Sequence, residues 1–223
     1  MPSRRLHSQP VASVHPWLLR PAGRQLVADV QRMAIPELTR IFGQYGVYLR
    51  PSADMPPDLS GNMLGRVISL HRSGWGLDGQ LKCADAELPI ASGSLSLVYV
   101  LFCLETSADP TQLMAEIARS LKPEGVAMLI CANPWSPARR GPAMSVARAE
   151  RLGRHAGLER VRCHCIGPYW PRLEGAVGGQ AGGRWFDGFR AATLLVLRRR
   201  EAGLTPLRKT PAAVGLRPGM SAG

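Results

Sequence analysis

Between Leu95 and Ala132 the chain runs through an apolar segment, a capped amphipathic segment, a tight turn and a second apolar segment, and few folds accept that order. Residues 95–103, with Val98, Tyr99, Val100 and Phe102, are apolar almost without a break, as a strand covered on both faces requires. Asp109-Pro110 then supplies an N-cap and a proline at the first helical position, where its missing N–H costs nothing. Leu113, Ile117 and Leu121 recur at four-residue spacing, with Met114 and Ala118 beside them, so one stripe of the helix is apolar. Pro123 is expected to stop the helix, and Gly125 to permit the sharp turn into a second apolar strand over 126–132. A strand, helix and strand joined this way form a right-handed crossover with the strands parallel. The fold class follows: a doubly wound, mostly parallel α/β sheet with helices on both faces.

The rest of the chain adds elements around this unit. Leu26, Val30, Met33, Leu38 and Ile41 suggest one or two helices over 17–42, broken near Pro36. Residues 43–50 read as a turn or short strand, 52–60 as a loop, 67–70 as a strand and 74–79 as a turn. Beyond Asn133 comes a proline- and arginine-rich connection. A helix over 145–156 follows, ended by Gly157, then an alternating strand over 159–166. Glycines 175, 178, 179, 182 and 183 mark a flexible loop before a strand over 191–199. At 223 residues one substantial domain is expected over 17–204, between a flexible segment at 1–16 and a disordered basic tail at 205–223.

Composition narrows the function classes. Nothing approaches the roughly 18 consecutive apolar residues of a membrane helix. Arg4 and Arg5 are followed by Pro10 and Pro16 rather than by the apolar core of a signal peptide, so a cytoplasmic location is expected. Five cysteines cannot all pair, and Cys83, Cys103 and Cys131 sit in or beside apolar strands, where cysteine behaves as a small hydrophobe. The net charge of +12 is mostly arginine spread along the chain, which reads first as a solvated basic surface. An anionic partner such as nucleic acid stays open, but no zinc-finger spacing or aromatic-interleaved RNA-binding strand supports it. Oligomeric state is not readable.

Several short motifs converge on one family. Asp85-Ala86-Glu87-Leu88-Pro89, the strand running into Leu104-Glu105, and Leu121-Lys122-Pro123-Glu124-Gly125 together resemble the type 11 group of class I S-adenosylmethionine-dependent methyltransferases. Asn133-Pro134-Trp135-Ser136, Gly183-Arg184-Trp185-Phe186 and Thr205-Pro206-Leu207-Arg208 are similar to a narrower, poorly characterised bacterial subfamily. The resemblance covers about residues 17–208 and implies S-adenosylmethionine as cofactor, bound across the strand ends. It places the adenine amino group on Asp85, the ring beside the backbone of Ala86, and the end of the fourth strand, Leu101 and Phe102, within the cofactor site. For the family's glycine-rich first turn the chain offers only Gly43-Gln44-Tyr45-Gly46, so Gly43 and Gly46 are the candidate backbone contacts. The acidic residue that takes the ribose hydroxyls in the family is missing from Val67-Ile68-Ser69-Leu70-His71-Arg72.

Methyl transfer from a sulfonium needs mainly proximity and alignment, so no conspicuous catalytic residue is required and none is assigned. His155 and His164 read as surface or turn residues. In Cys163-His164-Cys165 alternate residues of a strand diverge, and no second ligand pair completes a metal site, so no metal is expected. The five tryptophans read as core. The leading function is a methyltransferase of unassigned acceptor; the competing one is a non-catalytic binding or regulatory protein that kept the scaffold.

Overall fold

All seven side chains of the strand Leu95–Leu101 are buried, which puts it in the middle of a sheet covered on both faces. The computed structural model describes residues 16–74, 76–137, 141–167 and 188–200. In chain order it contains a 3-10 turn Pro16–Leu19, α1 Pro21–Leu38, β1 Phe42–Arg50, β2 Met63–Ser73, β3 Gly76–Gly79, β4 Leu95–Leu101, α2 Pro110–Ser120, β5 Leu121–Ala132, α3 Val146–His155, β6 Leu158–Ile166 and β7 Ala192–Arg199. These strands form one seven-stranded sheet in the order β3-β2-β1-β4-β5-β7-β6. Strands β2, β1, β4 and β5 are parallel, while β3 pairs antiparallel with β2, and β7 antiparallel with both β5 and β6.

Strand alternation divides the core in two. Val47, Leu49, Val98, Val100 and Leu129 meet Leu113 and Ile117 of α2 and Ala149 of α3 on one face. Tyr48, Leu97, Tyr99, Leu101, Met128 and Ile130 meet Leu26, Val30 and Ala34 of α1 on the other. Asp109 caps α2 by accepting from the N–H groups of Thr111 and Gln112, and Ser145 caps α3 by accepting from Arg148 N–H. Gly157, with φ of 82°, ends the turn that follows α3. The helices thus lie on both faces, as the strand–helix–strand reading requires.

Five local expectations are refined or corrected. Residues 17–42 hold one helix after the 3-10 turn, with Pro36 accommodated in its last turn. Residues 43–50 belong to a full nine-residue strand, and 74–79 contains the hairpin into β3 rather than a turn alone. Helix α2 ends at Ser120, ahead of Pro123, because Leu121 is already extended. Leu95 pairs with Leu121 and Leu97 with Val126, so residues 122–125 bulge out of the ladder. The left-handed residue of that bulge is Glu124 (φ 61°), not Gly125. Gly125 is needed for close approach instead, since a Cβ there would lie 2.8 Å from Lys122 O and 3.0 Å from Leu95 O.

The β1–β2–β3 half lacks covering helices of its own. Residues 51–62 join β1 to β2 without a helix, and the loop after β3 lays Leu81, Leu88 and Ile90 against the first face of the sheet. Glu116 and Arg119 of α2 hold that loop. Glu116 accepts from Leu88 N–H (2.9 Å), while Arg119 donates to the carbonyls of Leu88 and Ile90 (2.9 Å each). No helix among the described residues is long and apolar enough to cross a membrane. The expected N-terminal segment, the glycine loop with Gly183-Arg184-Trp185-Phe186, and the tail with Thr205-Pro206-Leu207-Arg208 lie outside the described residues.

Candidate functional site

The carboxyl ends of β1, β2, β4 and β5 point the same way, and in open α/β sheets ligands bind outside those ends. Asp85 stands at this rim, in the turn that follows β3 and its bridge Leu77–Cys83. Asp85 is only 8% exposed and Arg72, next to last in β2, only 2%. Both oxygens of the Asp85 carboxylate are engaged: Oδ1 accepts from the Arg72 guanidinium and Oδ2 from Ser107 Oγ at 2.5 Å. A second guanidinium nitrogen of Arg72 donates to Cys103 O at 2.8 Å, and Thr106 Oγ1 donates to the same carbonyl at 3.1 Å. One arginine therefore ties the end of β2 to the Asp85 turn and to the segment leaving β4. Ala86 beside it is exposed.

The segment leaving β4 turns sharply. Phe102 has φ of 48°, a left-handed conformation that a bulky side chain rarely adopts. Its ring is fully buried and meets Trp17 edge-on at a centroid distance of 6.3 Å. Leu101 is also fully buried, among the residues packed under α1. The side chains of Leu101 and Phe102, expected at the cofactor site, thus pack in the core: the turn drives the Phe102 ring into the α1 face of the sheet.

Glu105, two residues on from Cys103, reaches across to the end of β5. Its Oε1 accepts from Ala132 N–H at 2.9 Å, whereas its Oε2 is buried without a hydrogen-bond partner. Burial pushes this carboxyl up to about 7, against the downward pull of the Ala132 N–H, its own N–H, the Arg72 charge and the Cys131 thiol. Burial likewise raises the Cys103 thiol to about 12 and the Cys131 thiol well above its usual value, so both are inert hydrophobes here. Beyond β5, Asn133 donates to the carbonyls of Gly188 (2.7 Å) and Arg190 (2.8 Å), fixing the start of the 133–136 turn.

The glycine expectation fails on position. Gly43 and Gly46 lie inside β1, and Arg50 ends it, so Gly46 is roughly 13 Å from the rim at about 3.3 Å per residue. These glycines serve packing: a Cβ on Gly43 would overlap the Ser96 side chain, and one on Gly46 would stand 2.4 Å from Leu64 Cδ1. At the true end of β1 the chain places Arg50, 8% exposed, whose guanidinium donates to the carbonyls of Ala53 (2.9 Å) and Met55. Sequence reasoning missed Arg50, Arg72 and Ser107. The available signal was physical: a charged residue closing an apolar strand needs a partner, and Asp85 was the nearest acid of the next rim turn. His164 lies 3.7 Å from Glu37 Oε1, and among the described residues no three His, Cys, Asp or Glu side chains gather as a metal site.

Against known proteins, residues 55–129 match the family described as "Methyltransferase domain", a span that includes the Asp85 turn, β4, α2 and most of β5. No curated protein matches the chain. Among solved structures, a SAM-dependent methyltransferase from Aquifex aeolicus superposes with a TM-score of 0.56 at 13% identity, over 83% of this chain and 96% of that one. The Burkholderia thailandensis 1,6-didemethyltoxoflavin-N1-methyltransferase, solved with bound 1,6-didemethyltoxoflavin and S-adenosylhomocysteine, gives 0.50 at 16% identity, over 86% of this chain and 93% of that one. The chain therefore has a Rossmann-like α/β fold, and the match to the methyltransferase domain lies over residues 55–129 of it.

Proposed function

We propose that this protein is an S-adenosylmethionine-dependent methyltransferase acting on an acceptor not yet identified. The observation that carries the reading is the methyltransferase-domain match over 55–129, set in a sheet at whose carboxyl rim Asp85 stands, tied to the end of β2 and to the segment leaving β4. The fit to the donor is uneven. On the adenine side the rim holds a carboxylate, Asp85, engaged by Arg72 and Ser107, beside the exposed Ala86; once freed of Arg72, Asp85 would orient the base together with Ala86. On the ribose side an arginine stands where an acid would accept hydroxyl protons, and a guanidinium can only donate. Bound, the donor would supply an electrophilic methyl group on its sulfonium. The chain's part would be to hold and orient it and to exclude water, since transfer rests chiefly on proximity and alignment.

Titration calorimetry with S-adenosylmethionine and S-adenosylhomocysteine tests this reading. Saturable micromolar binding to the wild type, lost in Asp85→Ala, is expected; no heat at millimolar ligand overturns it. A second reading, a scaffold that no longer binds the donor, draws on the Arg72–Asp85 closure and on the buried Phe102. That absence of heat, from a protein folded by circular dichroism, is what the scaffold reading requires.

A further inference from the structure

We propose that Arg72 is the specificity-determining residue of the crevice: its guanidinium is a latch on Asp85, and an adenine-bearing ligand is admitted as Arg72 transfers from Asp85 to Glu105. The inference rests on the donor-binding reading above.

The latch is built from buried groups. Arg72 closes the rim from below, reaching from the end of β2 to the Asp85 carboxylate and to Cys103 O. With Ser107 Oγ on the other oxygen and only 8% of the residue exposed, Asp85 has no open side on which an exocyclic amine could dock. Ligand and arginine therefore compete for one carboxylate.

A latch must have somewhere to go, because a buried guanidinium stripped of its acid is costly. The same rim supplies the second acid. Glu105 Oε2 is buried without a partner, and Arg72 Nε is buried without one as well. Arg72 already bonds the carbonyl of Cys103, two residues before Glu105, and its charge already acts on the Glu105 carboxyl. Moving the guanidinium from Asp85 to Glu105 would satisfy both unpaired atoms and leave Asp85 to the ligand. An aspartate at the end of β2 would have no such second position.

The test uses the full chain, S-adenosylhomocysteine as probe, and calorimetry with a thermal melt of each variant. Arg72→Met removes the latch and keeps the bulk, and should bind at least tenfold more tightly than the wild type. Arg72→Lys keeps a charge but cannot hold Asp85 and Cys103 O together, and should tighten binding about threefold; it also serves if the Met variant does not fold. Glu105→Gln removes the second position and should weaken binding several-fold. Unchanged or weaker binding in both Arg72 variants, with the wild type still binding, overturns the latch and leaves the donor reading standing. Silence from the wild type and every variant overturns both.

Discussion

The two halves of the sheet close their rims differently. In the β4–α2–β5 half, a capped helix covers the strands, and the rim residues hold one another through backbone contacts such as Ala132 N–H to Glu105 Oε1. In the β1–β2–β3 half no helix intervenes between strands, and the rim is held by two buried arginines, Arg50 on the carbonyls of its own loop and Arg72 on Asp85. The first half keeps the framework on which ligand sites of this fold are built. The second carries cations at its strand ends, and charge pairing and carbonyl contacts, rather than helix cover, hold its rim together.

The sharpest way to break this comparison is to remove the acid that joins the halves. Asp85→Ala leaves a buried guanidinium without its counter-ion and should lower stability by about 3–5 kcal/mol in a urea melt. A loss under 1 kcal/mol would mean that the pair is effectively solvated and the second rim is not held by charge. Glu105 probes the β4–β5 side through pH. Its carboxyl titrates near 7 in the folded chain against an ordinary value of 4.5, so between those values the folded state binds more protons than the unfolded. Stability contributed by this group is thus complete below about pH 4.5 and is lost as pH rises through 7. Glu105→Gln should flatten that decline and stabilise the protein at pH 8 by about 2–3 kcal/mol, read from urea midpoints across pH. The smallest effect tests the helix that the other half lacks. Asp109→Ala removes the cap of α2 and should cost about 1 kcal/mol, with no change in the Asp85 turn.

How much of this was legible in the sequence follows the same division. The β4–α2–β5 unit was readable because its signals are local: an apolar run, Asp109 before Pro110, and a four-residue stripe ending at Leu121. The helix over 145–156, ended by Gly157, was readable for the same reason. Strand β1 was obscured by Gly43 and Gly46, which look like turn residues but are small because Ser96 and Leu64 press against them. The hairpin into β3 is only four strand residues long, too short for a periodic signal. The turn expected at 123–125 is instead a bulge within β5, and its left-handed residue is Glu124 rather than the Gly125 expected to permit the turn. Least legible was the rim itself. Arg72 and Asp85 lie thirteen residues apart, and Ser107 twenty-two from Asp85, so their meeting depends on strand order and not on local pattern.

Hydrogen exchange of the full chain with and without saturating S-adenosylhomocysteine measures the central claim directly, because it locates the ligand on the sheet. Slowed exchange confined to the amides of 84–88 and 103–107, on both sides of the Arg72–Asp85 pair, is the predicted result. Protection at the amino ends of the strands instead, or none anywhere, would contradict it.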